Sequence, residues 1–401
     1  MKILQLSNKL PFPEKDGGAL GISVFTKALL QAGHQVKMLA MNTSRQFIEL
    51  DSIPQKLKDE IKLETVNVDT SIKPMNALFA LLKGESYNVS RFISSEYKNK
   101  LSAILKNEPF DIIQIEGLYL APYIKVIRNL SHAPIIMRAH NIEWMIWQRL
   151  ANEEKKPLKA LYLKKLTAQL KKYEEASINL CDGITTTTIQ DMDRLKSMGC
   201  KKTIVHIPFG IDTSKYKTAP SEKKPSLFYI GALDWLPNQQ GLNWFLEKIW
   251  PKVHSAYPAP EFHVAGRNMP EAYKNVSHPN VVFHGEVNDA QAFMNAYEIM
   301  LVPLLAGSGV RVKIIEGMAM GKPIITTSVG LEGIECKNGI EVMVADSPED
   351  FGNAIARCID TPQLIQTLSE NARKYALANY DIGKIADNLT RFYKDCINAK
   401  A

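Results

Sequence analysis

One pattern dominates this chain: a short apolar run, then a stretch with helical spacing, repeated, and begun afresh after a polar break. The first series contains KILQLS (2–7), the helix-like GALGISVFTKALLQAGH (18–34), QVKMLAM (35–41), DIIQIEG (111–117), PIIMRAH (134–140), GITTTT (183–188) and TIVHIP (203–208). Short runs rich in β-branched residues read as strands, and strands separated by helices imply βαβ units with a parallel sheet. Gly33 stands where the first helix is expected to stop.

The break is KTAPSEKKPS (217–226), polar, with two prolines and no periodicity, which reads as a linker. The pattern restarts with SLFYIGAL (226–233), a helix around GLNWFLEKIWPKV (241–253), EFHVAG (261–266), VVFHGEV (281–287), EIMLVPL (298–304) and IITTS (324–328). A length of 401 residues also exceeds one typical core. The expected fold is therefore α/β, with two Rossmann-like doubly wound domains facing across a cleft. Ligands of such sheets bind beyond the carboxyl ends of the strands.

Several classes are excluded. The opening apolar run is too short for a signal peptide, and no stretch of about 18 apolar residues suggests a membrane-spanning helix. Five dispersed cysteines favour reduced thiols in a cytosol over disulfides or a zinc site. H-E-x-x-H, paired C-x-x-C and EF-hand spacing are missing, so no metal is expected, and neither is a nucleic-acid partner. The net charge of +7 is uneven: residues 1–200 hold 28 Lys/Arg against 21 Asp/Glu, so the first half carries the whole excess. An anionic partner for that half, such as a membrane surface, is one reading, and unpartnered surface lysines are the other. The segment 153–177 repeats the choice. Lys164, Lys165, Lys171 and Lys172 alternate with Leu161, Leu163, Leu166 and Leu170, as in a helix lying on an anionic membrane or one packing leucines inward and solvating its lysines.

Three constellations suggest chemistry. Gly17, Gly18 and Gly21 in DGGALG follow the first strand without forming the dinucleotide fingerprint G-x-G-x-x-G. They permit close approach of a ligand at a helix start, or simply a small-residue loop. RAHNIEW (138–144) gathers Arg138, His140, Asn141 and Glu143 at a strand's carboxyl end. GSGVRVKIIEGMAMGKP (307–323) follows an apolar strand. Ser308 is the expected cap, Val310 to Met320 the helix and Gly321 its end. Arg311 and Lys313 fall at the helix's positive pole, the wrong end for cations unless an anion joins them. Glu316 is placed to pair with Lys313 or to accept hydrogen bonds from sugar hydroxyls. No P-loop is present.

These motifs, in this order, resemble the GT-B-fold retaining glycosyltransferases of family 4 (glycosyl transferases group 1). DGGALG matches the early glycine loop, His140 the strand-end histidine, IPFGID (207–212) the segment before the linker, and YIGALDWLPNQQGLNWF (229–245) the start of the donor domain. Gly307 to Pro323 resembles the donor-binding helix. The resemblance implies a UDP- or GDP-sugar, UDP- first, held mainly by the second domain. His140, Arg311 and Lys313 would be catalytic. Gly18, Gly231, Ser308, Gly309, Val310 and Glu316 would bind the donor, with Glu316 on the ribose. Arg138, Asn141 and Glu143 would face the acceptor, a glycan or lipid-linked sugar of cell-surface polysaccharide synthesis. No cofactor is implied. The last helix of such proteins commonly crosses back, which assigns 1–216 plus 380–401 to the first domain, 217–226 to the linker and 227–379 to the second.

Two departures stand out. The family often has Glu-x7-Glu, and the earlier position here is Ser308. It also often has an Arg and a Lys after the first donor-domain strand. GALDWLPNQQG has neither, so Arg311 and Lys313 are the candidates to replace them. The expected setting is the cytoplasm, at the inner face of the cell membrane if the basic half touches lipid. A nucleotide-sugar 2-epimerase of the same fold and a non-catalytic sugar- or polyanion-binding protein are the competing readings.

Overall fold

The computed structural model describes residues 1–14, 17–219, 225–274, 278–306 and 309–400. Two compact units result, Met1–Gly210 with the residues from Ile385 onward, and Ile211–Lys384.

The first unit is built on a seven-stranded, all-parallel sheet. Its strands are β1 (Lys2–Ser7), β2 (Gln35–Thr43), β3 (Glu64–Val68), β4 (Ile112–Glu116), β5 (Ile135–Ala139), β6 (Gly183–Thr186) and β7 (Thr203–His206). They run in the order β3-β2-β1-β4-β5-β6-β7. The second unit repeats the plan with β8 (Ser226–Ile230), β9 (Glu261–Ala265), β10 (Val281–Gly285), β11 (Ile299–Val302), β12 (Ile324–Thr326) and β13 (Met343–Val344), in the order β10-β9-β8-β11-β12-β13. In both sheets the order reverses beside the first strand, between β1 and β4 and between β8 and β11. A doubly wound sheet opens a crevice at that switch point.

The central strands are mostly apolar and buried almost throughout, as expected of strands covered on both faces. Edge strands β3 (ETVNV) and β13 (MV) escaped the sequence reading because one is mostly polar and the other is two residues long. The expected helix over 241–253 is two helices, Leu236–Lys248 and Trp250–Ala256, because Pro251 removes a helical donor. The basic segment 153–177 likewise divides: Glu143–Glu153 ends before Pro157, which opens Pro157–Ser177. Gly33 lies just past the first helix, Gly17–Gln31, in the left-handed conformation that closes it.

The units divide at Gly210, ahead of the polar 217–226 stretch, whose residues 220–224 lie outside the described set. Hydrogen bonds explain this. The Ile211 N–H donates to the Tyr380 carbonyl at 2.8 Å and the Ile382 N–H returns to Ile211 at 2.9 Å. Residues from Ile211 are thereby tied to the second unit. The chain then re-enters the first unit through the helix Ile382–Asn398. Ile385, Leu389, Phe392 and Tyr393 pack there against Ile3, Phe25, Ile112 and Ile136. Each large apolar side chain so buried contributes roughly 1.5–3 kcal/mol.

Candidate functional site

The first unit concentrates polar groups where β1, β4 and β5 end. Registers place Gln5 beside Gln114, Ser7 beside Glu116 and Glu116 beside Arg138. Because side chains alternate along a strand, Gln114 and Glu116 share a face. Gln5, Gln114, Glu116 and Arg138 are all buried. Buried charges need pairing and hydrogen bonds; Glu116 has both, whereas Arg138 bonds through Nη1 and its buried Nε and Nη2 have no partner among the described residues. Glu116 accepts from Gln5 Nε2 at 2.6 Å on Oε1, where Gln114 Nε2 also donates. Its Oε2 takes His140 Nε2 at 2.8 Å and lies 3.5 Å from Arg138 Nη1. Thr26 holds Gln5 at 2.8 Å, and Tyr393, from the returning helix, donates to Gln114.

This network fixes the state of His140. Burial pulls the imidazole below its ordinary value and the Arg138 charge pulls the same way, outweighing Glu116. For Glu116, burial raises the carboxyl, but Arg138 and His140 overcome it and hold it low. A carboxylate only accepts, so the neutral ring carries its proton on Nε2. Nδ1 is left as the acceptor and points toward Gly21, 3.9 Å from where a Cβ there would stand.

The acceptor-side residues separate. Arg138 does not face outward: its guanidinium is 1% exposed, stacked 3.3 Å above the Phe25 ring centre, and donates to the Gly21 carbonyl at 2.9 Å. Its role is internal, because a carboxylate buried beside it needs the charge. Glu143 accepts from the Tyr119 hydroxyl at 2.7 Å, and burial raises its pKa against that bond. Its N–H and that of Trp144 donate to Glu174, a carboxyl pushed up to about 7 mainly by burial. Asn141 is partly exposed between His140 and that helix start. Gly18 sits in the first turn of Gly17–Gln31, partly exposed. Glu116 went unnoticed in the sequence, although a lone carboxylate ending an apolar strand was its signal.

The second unit assembles its own cluster at β8, β11 and the helix Val312–Ala319. Gly307 and Ser308 lie outside the described residues. The helix begins at Val312, two residues later than expected, and Arg311 is its N-cap residue with no side-chain cap bond. Arg311 donates to the Gly309 carbonyl and its guanidinium carbon lies 5.7 Å from the Trp235 ring centre. Gly309 adopts a φ of 83°, open to glycine at little cost, and Val310 links it to the helix. Gly321 closes the helix at φ 68°, as the sequence implied.

Lys313 and Glu316 do not pair. The Lys313 amine reaches the Ile230 carbonyl at 3.2 Å and Asn238 Oδ1 at 3.5 Å, 4.4 Å from the Tyr229 ring centre. Burial, with the nearby Arg311 charge, lowers its pKa to about 7. Gly231 makes the room: a Cβ there would stand 3.0 Å from the amine and 2.9 Å from the Tyr229 hydroxyl. That hydroxyl is buried with no hydrogen-bond partner among the described residues. Glu316 accepts from the Tyr216 hydroxyl at 2.8 Å, and burial raises its carboxyl against that bond. Arg373 holds Tyr216 through its carbonyl at 3.1 Å and also caps Ala319. A pocket of 530 Å³ adjoins Glu316, lined by Tyr216, Asn288, Asp289, Gln291 and Met294. Those lining residues carried no recognisable motif.

Comparison with known proteins agrees. Residues 16–215 match the model of Glycosyltransferase Family 4, and 224–361 that of Glycosyl transferases group 1. An "Uncharacterized 44.6 kDa protein in cps region" of Klebsiella pneumoniae is 23% identical over 97% of this chain and 98% of its own length. The putative glycosyltransferase YtcC of Bacillus subtilis (strain 168) is 33% identical over 21% of this chain and 22% of its own. Among solved structures, a sucrose-phosphate synthase from Thermosynechococcus elongatus superposes with a TM-score of 0.70 at 16% identity, covering 100% of both chains. Anabaena HepE in complex with UDP gives 0.69 at 15%, covering 98% of this chain and 100% of its own. With family matches across both units and two parallel Rossmann-like sheets, the chain belongs to the family 4, group 1 glycosyltransferases of the GT-B fold.

Proposed function

We propose that this glycosyltransferase moves a hexose, with retention of configuration, from a UDP-sugar to a glycan or lipid-linked acceptor in cell-surface polysaccharide synthesis. The observation that carries the donor reading is the inverted charge order at Val312–Ala319: two cations, Arg311 and Lys313, at a helix's positive pole. In the free protein they repel each other, and burial has already lowered the Lys313 pKa. A diphosphate relieves both penalties, with the helix N–H groups as further donors. The unsatisfied Tyr229 hydroxyl beside Lys313 points the same way.

Bond breaking builds negative charge on the departing diphosphate. Fixed cations and amides aimed there favour the transition state over the ground state. Glu316, with its pocket, takes the ribose hydroxyls. His140, neutral and held on Nε2, offers Nδ1 to a sugar hydroxyl. The structural relative HepE is described in complex with UDP and with UDP-glucose, which supports uridine. The relative from a cps region supports the pathway. An acceptor carried on lipid would bring the enzyme to an anionic surface, and the positive excess of its first half suits that setting at the inner membrane face.

The test is thermal stabilisation and isothermal titration with UDP, GDP and ADP, followed by slow hydrolysis of sugar nucleotides. Selective binding of UDP with hydrolysis of one UDP-hexose supports the reading. Binding of none of the three overturns it.

A further inference from the structure

The returning helix Ile382–Asn398 brings one oxygen into an apolar setting. Its inward residues Ile385, Leu389, Phe392, Tyr393 and Cys396 join Ile3, Phe25, Ile112 and Ile136 in one core cluster. Among the described buried members of that cluster, Tyr393 alone carries a side-chain oxygen. Phenylalanine would fill the same space without burying a hydroxyl, so packing by itself does not call for tyrosine. The hydroxyl donates to Gln114 Oε1.

The direction of that bond follows from the carboxylate beyond it. Glu116 is held ionised and only accepts, so Gln114 must turn its NH2 toward Glu116 Oε1. The amide oxygen then faces the helix, and Tyr393 must donate to it. Gln5 is arranged in the same way. Its Nε2 donates to Glu116 Oε1 at 2.6 Å, and the Thr26 hydroxyl donates to its oxygen at 2.8 Å. Two hydroxyls thus fix two amides, and both amides meet one carboxylate oxygen. The other oxygen, Oε2, is left to His140 Nε2 at 2.8 Å. Either amide, if turned over, would set its own oxygen against Glu116 and push the carboxylate away from the histidine. Gln5, Gln114, Glu116 and Tyr393 are all at most 1% exposed, so bulk water does not replace a lost donor there.

We infer that Tyr393 is a positioning residue for sugar transfer: from the returning helix it fixes the Gln114 amide, the amide aims Glu116, and Glu116 sets the ring nitrogen that His140 offers. The inference rests on His140 acting at the transferred sugar. Tyr393 is fully buried and acts only through Gln114.

The experiment is a double-mutant cycle on the full chain with Tyr393→Phe and Gln114→Met. Two readouts are taken: the ring-nitrogen chemical shifts of His140 without ligand, and kcat for hydrolysis of the UDP-hexose that the wild type accepts. Tyr393→Phe should turn the single Nε2–H form into a mixture of tautomers. It should lower kcat roughly threefold to tenfold, the effect of one hydrogen bond, with KM for the donor unchanged. Added to Gln114→Met, Tyr393→Phe should change neither readout further, because its route is already cut. Leu389→Met, a volume-conserving change on the same helix, controls for a loosened core and should leave both readouts as in the wild type. Circular dichroism establishes that the variants fold. Wild-type shifts or wild-type kcat in Tyr393→Phe overturn the inference, as do additive losses in the double variant or an equal loss in Leu389→Met. Retained kcat in His140→Ala defeats the histidine's proposed role and this inference with it, whereas the other outcomes defeat the inference alone.

Discussion

His140 Nε2 and Glu116 Oε2 stand 2.8 Å apart, and the carboxylate decides which ring nitrogen the histidine offers. Glu116→Gln keeps the size but removes the charge that fixes the tautomer. Its expected effect is a fall in kcat of about tenfold or more, well short of the hundredfold or greater loss in His140→Ala, with KM for donor little changed. Nitrogen chemical shifts of the His140 ring check the cause directly: the Nε2–H form should dominate in wild type and not in the variant. Glu116→Gln and Glu116→Ala both leave the Arg138 charge without its carboxylate, and Glu116→Ala also removes the acceptor for Gln5 and Gln114, so it should cost about 3–5 kcal/mol in stability.

His140 and Glu116 should each cost the first unit stability in acid, while Glu174, raised to about 7 by burial, acts the other way as pH falls below 7. His140 titrates below its ordinary value, so the unfolded chain binds its proton more readily and stability falls as pH drops below about 6.5. Glu116 is held low, so its contribution is present above about 4.5 and is lost as pH falls through its folded value. Denaturant midpoints of wild type and His140→Ala, followed together from pH 7 downward, isolate the histidine from the raised Glu174, which both proteins share. The wild type should lose stability relative to His140→Ala as pH falls below about 6.5.

Lys313, at about 7, makes donor binding proton-linked. A diphosphate favours the ammonium form, so UDP should bind with proton uptake above neutrality and more weakly as pH rises. Titration calorimetry in buffers of different ionisation enthalpy reads that uptake, which Lys313→Met should remove. The sign for folding is opposite. The free protein disfavours the charged amine, so stability should rise with pH from about 7 to 10.5. Arg311→Ala and Lys313→Ala should each weaken UDP by roughly tenfold or more, from about 1.5–3 kcal/mol per charged hydrogen bond. Unchanged affinity in both would refute the phosphate role.

Gly231→Ala places a methyl 3.0 Å from the Lys313 amine and 2.9 Å from the Tyr229 hydroxyl. The amine ends a flexible side chain and can move, but the Tyr229 ring is held in the core and must shift, so melting should also fall, as for other overpacked sites. UDP affinity should fall nearly as far as in Lys313→Ala, because the displaced amine no longer meets the phosphate. A large loss of stability with intact affinity would contradict this.

Glu316 and Tyr216 test the ribose. Glu316→Ala should reduce the preference for UDP over its 2′-deoxy analogue to near unity. Tyr216→Phe removes the 2.8 Å bond that opposes burial, so the carboxyl should titrate still higher and UDP binding should weaken as pH falls. Competitive binding of the two nucleotides measures both.

The architecture was legible because its signals are local and periodic. Apolar runs such as DIIQIEG and EIMLVPL can scarcely be anything but buried parallel strands. Gly33 and Gly321 announced helix ends through conformations other residues resist. What stayed hidden depends on partners distant in sequence. Nothing in RAHNIEW tells that Arg138 turns inward, since its partners Glu116 and Phe25 lie on other elements. The i+3 spacing of Lys313 and Glu316 suggested a pair, but Ile230 and Tyr216 claimed them instead.

The helix Ile382–Asn398 closes the first sheet's core from the far end of the chain, and Tyr393 is 279 positions from the Gln114 it bonds. Translation makes this an obligation in time. At about 5–20 residues per second, the ribosome spends roughly 10–35 s on the second unit after the first unit's last strand has emerged. Through that interval the nascent first sheet presents Ile3, Ile112 and Ile136 without their cover. The later-made unit can finish first, and the earlier one must wait. Chaperones, rather than the fold itself, would have to guard that bare face until the last helix arrives.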